Sequence, residues 1–442
     1  DMKSALTDIN PDNNNPSYLY ANAISNISVD TQSLSSILKR VDANREGLFG
    51  DGLDENVAKN VYEGGSYTYG ISVMSAPRSR TKAMKIYDSL ENYVPTADKF
   101  DYKDTRWRGT FQDIDVSNLV GKGIAPKVYY SKVKGLVLDD TNNRTDLDLS
   151  NTSKWSTTVP SDKSKITAIA IDASRKADGT EFVLAPEESI TAYVHMKAPI
   201  VADLAKKGEE SKWYDQILKQ GEKEESLEGG AHAYNNVSYT NITISEEGIA
   251  SSELLARHDY TKIGLKPYRI KVVKKWDDDN DRDRKRPNSV TVRLYANGKP
   301  EGKTLTLDEN NKWEGEFGDI PYSDANGDKI NYTIKEDSVT GYNDILTAPS
   351  YQDGYAVFNL TNKHEPENIS IKGEKTWDGG SYRPEKVTIG LLANGKLIRC
   401  IDVRPDEQGL WKYSFDNLFK YEDGKAIKYE LDELSYVPGY VS

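Results

Sequence analysis

The chain is poor in cysteine: its 442 residues contain one, Cys400. That excludes an intramolecular disulfide, so no cystine framework holds the fold together. Its setting, LIRCIDV, reads as a strand, with the cysteine expected as a small buried apolar residue. Histidine is also scarce, with four copies. His195, His232, His258 and His364 are scattered, and no H-E-x-x-H, G-x-S-x-G or phosphate-cradling P-loop occurs. A lone histidine more often satisfies a hydrogen bond than holds a metal, so no metal site and no cofactor are expected. No run approaches the ~18 apolar residues of a membrane-spanning helix. Positive charge is also in deficit. The net charge of −12 argues against nucleic acid and anionic membrane as partners.

Tyrosine, by contrast, is abundant, with 28 copies, and it accompanies Thr, Val and Asn punctuated by Gly. That composition fits many short, half-exposed strands. The length suggests several domains. The chain carries no recognisable leader or C-terminal sorting motif and reads as an excised fragment.

Residues 1–56 form an N-terminal segment that the sequence does not assign. Within it SYLYANAISNISV (17–29) fits a strand, TQSLSSILKRV (31–41) has an apolar spacing closer to a helix, and GLFGDGLDE (47–55) is turn-rich. Residues 57–266 read as one larger β domain together with its connection to the C-terminal part. Strands are expected at SYTYGISVM (66–74), AMKIYDSLENYV (83–94), KVYYSKV (127–133), KITAIAID (165–172), SITAYVHMKA (189–198) and NNVSYTNITIS (235–245). The segment 201–225 favours helix and is expected as a surface insertion.

The C-terminal part is built from a near-duplicate. One copy reads VVKKWDDDNDRDRKRPNSVTVRLYANGK from Val272, the other KGEKTWDGGSYRPEKVTIGLLANGK from Lys372. Trp276 and Trp377 stand roughly one hundred residues apart, a period that means tandem domains and not a short solenoid repeat. The copies share K-x-W (Lys274/Trp276 and Lys375/Trp377), R-P (Arg286-Pro287 and Arg383-Pro384), A-N-G-K, W-x-x-x-F, Y-x-x-x-E (Tyr332/Glu336 and Tyr429/Glu433) and G-Y. Asn-Gly between alternating strands favours a type I′ hairpin. The repeat domains are expected at 267–364 and 369–442, joined by the polar KHEPEN.

This motif series resembles the collagen-adhesin B-type (CnaB) domains of Gram-positive surface proteins. The resemblance implies small Ig-like β-sandwiches, each closed by a spontaneous isopeptide bond between a first-strand lysine and a last-strand asparagine, assisted by a buried glutamate. The matching residues are Lys274, Glu336 and Asn362. In the second copy Lys375 and Glu433 match, and the asparagine position falls beyond the sequence, so that domain is expected to lack its last strand and its own bond. The chemistry requires these residue types. Burial lowers a lysine pKa and raises that of a carboxylic acid. The neutral amine can then attack a carboxamide polarised by the acid, with ammonia leaving.

The stretch NVAKNVYEGGSYTYGISVMS with KIYDSL resembles the A-type (CnaA-like) isopeptide domains of pilins and adhesins. There the matching residues are Lys59, the acid Asp88 and the acceptor Asn235. Asn236 is the rival, since strand alternation turns only one of the two inward. Glu91 stands where that family usually has proline, and the helical insertion is atypical.

The alternate aspartates of DDDNDRD (277–283) resemble the start of a calcium loop but lack its glycine and final glutamate. A solvated charged loop is the default, and whether Asp277, Asp279 and Asp281 bind calcium stays open. The fold class is therefore all-β: tandem Ig-like sandwiches with a helical insertion in the larger N-terminal domain. The functional expectation is a non-enzymatic, extracellular, cell-wall-anchored adhesin or pilin-like stalk, involved in adhesion and virulence and stiffened by isopeptide bonds. Its partners are neighbouring domains of the same surface protein and a host matrix protein or glycan. An alternative makes the 57–245 domain itself the ligand-binding module. A surface-anchored hydrolase is the remaining rival.

Overall fold

The computed structural model describes residues 35–52, 59–91, 107–139, 144–200, 232–352 and 355–441. Two compact units emerge. The first holds the described residues up to 269 together with 318–331, and the second holds 270–317, 332–352 and those from 356 onward.

The first unit is built from β1 (Ser36–Ala43), β2 (Asn60–Tyr62), β3 (Ser66–Met74), β4 (Ser79–Asp88), β5 (Thr110–Asp115), β6 (Lys127–Ser131), β7 (Ala168–Asp172), β8 (Val183–Leu184), β9 (Ser189–Lys197), β10 (His232–Ser245) and β11 (Leu254–Lys266). Two short helices, α1 (Ser117–Gly121) and α2 (Arg144–Leu147), decorate it. One sheet has the order β1-β3-β9-β5. The other runs β2-β11-β10-β4-β7-β6, with β8 on β4. Side chains alternate across each strand. Ile37 and Val41 of β1, Tyr67, Tyr69, Ile71 and Val73 of β3, Met84 and Ile86 of β4, and Ala233, Val237 and Tyr239 of β10 therefore meet in one core. A satellite cluster around Tyr87, Leu138, Leu147 and Trp155 packs on the outer face of the second sheet.

The expected strands are present here, except that the one expected over 83–94 ends at Asp88 and gives way to a turn at Leu90 and Glu91, and there is one reversal. TQSLSSILKRV was expected to favour helix, but Ser36–Ala43 is a strand paired antiparallel with β3, Lys39 opposite Ile71. The unassigned N-terminal segment thus contributes a strand to the sandwich. The expected helical insertion at 201–225 and the strand at 17–29 lie outside the described residues. Residues 318–331, expected within the first repeat, pack in this unit. Tyr322 stacks on Tyr62 at 4.9 Å, and Arg45 pairs with Asp328 at 2.7 Å. Among the described residues no helix is long and apolar enough to cross a membrane.

The second unit carries both repeats. The first comprises β12 (Arg269–Asp277), β13 (Ser289–Ala296), β14 (Lys299–Asp308), β15 (Glu314–Phe317), β16 (Tyr332–Glu336), β17 (Asn343–Leu346), β18 (Ser350–Gln352) and β19 (Tyr355–Lys363), in sheets β15-β12-β19-β17 and β14-β13-β16. The second repeats the plan with β20 (Asn368–Lys375), β21 (Val387–Ala393), β22 (Lys396–Val403), β23 (Trp411–Phe419), β24 (Tyr421–Glu422), β25 (Lys425–Ala426) and β26 (Tyr429–Glu433). Its sheets are β20-β23 and β22-β21-β26. Both A-N-G-K segments turn with positive φ at two consecutive residues, Asn297 and Gly298, then Asn394 and Gly395. That is the type I′ geometry the sequence calls for. Cys400 is exposed on β22, contrary to the buried position expected, because that strand turns most of its side chains to solvent.

Candidate functional site

Each strand of the first repeat that bears a candidate residue places it at the end of a buried row. Ile270 and Val272 precede Lys274 on the inward face of β12, Tyr332 and Ile334 precede Glu336 on β16, and Phe358 and Leu360 precede Asn362 on β19. Lys274 and Asn362 stand on neighbouring strands of one sheet, and Glu336 faces them from the other. Their exposures are 4%, 1% and 7%. Lys274 Nζ lies 3.9 Å from Glu336 Oε1, donates to the Lys275 carbonyl at 2.9 Å and sits 3.8 Å from the Trp276 ring centre. Trp276 is braced edge-on by Trp313 and Tyr342.

Burial pulls the Lys274 amine down to about 8, against the attraction of Glu336. It pushes the Glu336 carboxyl up, against the charge of Lys274 and the nearby Asn362 amide. Both polar atoms of the Asn362 carboxamide are buried without a hydrogen bond of ordinary geometry. A buried ion pair seldom stabilises a fold on balance, and an orphaned carboxamide costs about 1–3 kcal/mol. Three polar groups so placed are poorly explained by stability. They are well placed for amide exchange.

The second repeat reproduces the amine and the acid. Lys375 Nζ is 3.0 Å from Glu433 Oε2 and 4.6 Å from the Trp377 ring, which Trp411 and Tyr440 brace. Glu433 stands opposite Ile389 as Glu336 stands opposite Val292. Among the described residues β20 is flanked only by β23, where β12 has both β15 and β19.

In the first unit the structure brings Asp88 together with a lysine, and that lysine is Lys39, not Lys59. Lys59 lies just before the short edge strand β2, and its Nζ donates to the Leu48 carbonyl at 2.5 Å. Lys39 sits on the inward face of β1 with 0% exposure, its Nζ 2.5 Å from Asp88 Oδ2 and 4.6 Å from the Tyr69 ring centre. Desolvation lowers its pKa despite Asp88. Val237 pairs with Asp88 across β10 and β4. Paired residues share a face and positions two apart share it too. Asn235 is therefore turned to the core beside Asp88, while Asn236 shares the opposite face with Ser238, which donates to Leu138. Both polar atoms of Asn235 are buried and unpartnered at 0% exposure. The signal for Lys39 was present in the sequence. Ile37, Lys39, Val41 and Ala43 alternate, with a lysine where an apolar residue belongs.

The aspartate-rich loop is tied by protein donors. Asp278 takes both an Nε and an NH2 bond from Arg286 and one from the Tyr342 hydroxyl. Asp283, almost fully buried, accepts from His364 Nε2 and from the Glu367 amide, both at 2.9 Å. Arg282 covers the Phe419 ring at 4.1 Å, and Lys285 and Lys420 converge on Glu367, holding its carboxyl down to about 2. In this way the loop of the first repeat grips the linker and the second repeat.

The family profile of the Cna protein B-type domain matches residues 270–363 and 371–442. The collagen adhesin of Staphylococcus aureus is 41% identical over 169 residues, which is 37% of this chain and 14% of that protein. The chain thus spans about a seventh of that relative's length. Two B repeat units of the Staphylococcus aureus collagen binding protein are 31% identical, covering 44% of this chain and 59% of theirs at a TM-score of 0.35. The major pilin subunit of Bacillus cereus is 12% identical, covering 75% of this chain and 71% of its own at a TM-score of 0.29.

Proposed function

From the premise that residues 270–363 and 371–442 are Cna B-type domains, we propose that this chain is a segment of an extracellular bacterial surface adhesin or pilin-like stalk. It is anchored to the cell wall and works without enzymatic turnover. Its sandwiches are closed by spontaneous amide bonds, Lys274 to Asn362 and Lys39 to Asn235. The observation that carries this reading is the Asn362 carboxamide, buried with neither polar atom partnered and placed in the dry cluster of Lys274 and Glu336.

The residues supply each element of the reaction. The desolvated pair favours transfer of the ammonium proton from Lys274 to Glu336, leaving a neutral amine and a neutral acid. Lys274 Nζ attacks the Asn362 carbonyl carbon while the protonated acid donates to its oxygen. Nζ gives up a proton, the departing nitrogen gains one, and ammonia leaves with an amide in place of the carboxamide. Folding holds the groups together, and this proximity replaces a catalyst. Asp88 takes the role of Glu336 in the first unit. Such bonds would tie the first strand of each sandwich to a strand near the end of its sequence, so that pulling on the chain is borne by a covalent link, which suits a stalk.

Intact-mass measurement tests the reading. The chain should be lighter by two ammonia molecules, and tryptic mapping should recover peptides linking Lys274 to Asn362 and Lys39 to Asn235. A mass equal to that of the unmodified sequence refutes both bonds.

A second reading, binding of a host matrix protein or glycan by the first unit, is favoured by one observation. A surface cleft of about 630 Å³ lies beside β4, β6 and β7, lined among others by Lys85, Lys127, Tyr129, Asp148 and Asp172. Loss of matrix or glycan binding in a Lys127→Ala, Tyr129→Ala variant would support it, and unchanged binding would remove the cleft from consideration.

A further inference from the structure

Glu91 follows the D-S-L turn that carries Asp88, and it is as deeply buried as Asp88, with 1% exposure. Its side chain gathers three donors. Oε1 accepts the hydroxyls of both Tyr67 and Tyr69 at 2.6 Å, and Oε2 accepts the Gly109 amide at 2.6 Å. Its backbone carbonyl accepts Arg108 Nε at 2.9 Å. Gly109 is required by this packing, because a Cβ there would fall 1.9 Å from the Tyr67 hydroxyl. Tyr67 and Tyr69 stand edge to face at 5.5 Å, and Trp107 closes on Tyr67 in the same way. The Tyr69 ring that Glu91 anchors is the one against which the Lys39 amine rests.

A buried carboxylate needs a reason to persist in a core, since isolation there is costly. Lys39 does not supply it, for its Nζ is engaged by Asp88. The Asp88 carboxylate itself is positioned by the Leu90 amide on Oδ1, within the same turn. The turn is strained, with positive φ at both Leu90 and Glu91. Three donors converging on Glu91 lock that turn and the tyrosine pair as one piece.

We propose that Glu91 is a positioning residue for the Lys39–Asn235 condensation: through Tyr67 and Tyr69 it fixes the aromatic wall that keeps the Lys39 amine beside Asp88. This rests on the cross-linking reading of the first unit. The covalent step is unchanged: the Lys39 Nζ to Asn235 Cγ bond forms, the Cγ to Nδ2 bond breaks, and Asp88 relays the proton that leaves with ammonia. Glu91 takes no part in that transfer. When the bond forms, the cation of Lys39 disappears. Glu91 keeps its three donors throughout.

The test is the rate at which the full chain loses the first-unit ammonia, followed by intact mass and by mapping of the Lys39–Asn235 peptide, in wild type, Glu91→Gln and Tyr69→Phe. Both variants should cross-link at least ~10-fold more slowly while remaining folded by circular dichroism, as displacement of one reacting group demands. The pH profile separates positioning from a merely structural part. The charged or titratable groups facing Lys39 are Asp88 on β4, Glu91 on the turn, Asp259 on β11 and the Tyr69 ring on β3. Glu91 draws Lys39 toward its ammonium form. Its neutralisation in Glu91→Gln should therefore move the profile to lower pH, whereas Tyr69→Phe should slow the reaction without moving it. Should Glu91→Gln fail to fold, Tyr69→Phe decides by itself. Variants that react at the wild-type rate with an unmoved profile overturn the role of Glu91 alone. A wild-type chain with no Lys39–Asn235 peptide overturns the reaction and this role with it.

Discussion

Lys274 Nζ and Glu336 Oε1 lie 3.9 Å apart from opposite sheets, with side-chain exposures of 0% and 2%. The separation is longer than a hydrogen bond, and the lysine spends one donor on its neighbouring carbonyl instead. At that separation the two groups attract without a hydrogen bond, so the pair is weaker than a hydrogen-bonded ion pair.

The pH dependence of the reaction follows from that relationship. Attack requires a neutral amine and a neutral acid, and together these carry the same number of protons as the ion pair. Their population is therefore greatest between the two apparent pKa values. Below the raised value of Glu336 both groups are protonated. Above about 8, where Lys274 titrates, the pair has lost the proton the acid must donate. Cross-linking during refolding should follow a bell-shaped profile that declines above about pH 8, read by the fraction of chains lacking ammonia. Glu336→Gln should leave the first repeat unlinked at every pH.

The two lysines of the first unit are separable. Lys39→Ala should abolish ammonia loss from that unit, and Lys59→Ala should leave it intact, as measured by mass on each purified chain. Asn235→Ala should match Lys39→Ala, and Asn236→Ala should not.

Breaking the first-repeat bond by Asn362→Ala removes a covalent closure comparable to a disulfide across a long loop. The expected loss is about 4 kcal/mol in chain-entropy terms, read as a lower melting temperature for that repeat. In this variant Lys274 keeps a pKa lowered to about 8 from 10.5. The unfolded state then binds more protons between those two values. The folded state gains stability as pH rises through that window, with no further gain above it. Thermal melts from pH 8 to 10.5 check the sign.

The Asp283–His364 contact makes a mechanical prediction. His364 Nδ1 lies 2.7 Å from the Gly341 carbonyl and Nε2 lies 2.9 Å from Asp283 Oδ2. Asp283→Ala removes this link and the bond to the Glu367 amide, at a cost of about 1–3 kcal/mol. Faster protease cleavage in the 364–368 linker, with each repeat still folded, is the expected result.

Much of this molecule was legible from periodicity. The β3, β9 and β10 strands and both A-N-G-K hairpins lie where alternation and turn chemistry put them, whereas Lys274, Glu336 and Asn362 came from the resemblance to the CnaB motif series and not from periodicity. The first strand was not legible for the reason that makes it interesting. A charged residue at the inward Lys39 position breaks the apolar period, and the remaining Leu34, Ile37, Leu38 and Val41 imitate a helical spacing. Lys59 came from the resemblance to the CnaA-like motif, as the lysine preceding the Gly turn and SYTYGISVM, but a position in a motif does not tell which face a residue joins. Likewise the aspartate loop read as a solvated run because its partners, His364, Glu367 and Phe419, lie far along the chain.

The proposed bonds span Lys39 to Asn235 and Lys274 to Asn362, so the two closed circuits follow one another without nesting. A protease that nicks the backbone anywhere inside either circuit leaves both pieces tethered, and only a cut outside them releases a fragment. The molecule would behave as a chain of welded links, in which damage to a surface loop changes shape locally but does not shorten the tether.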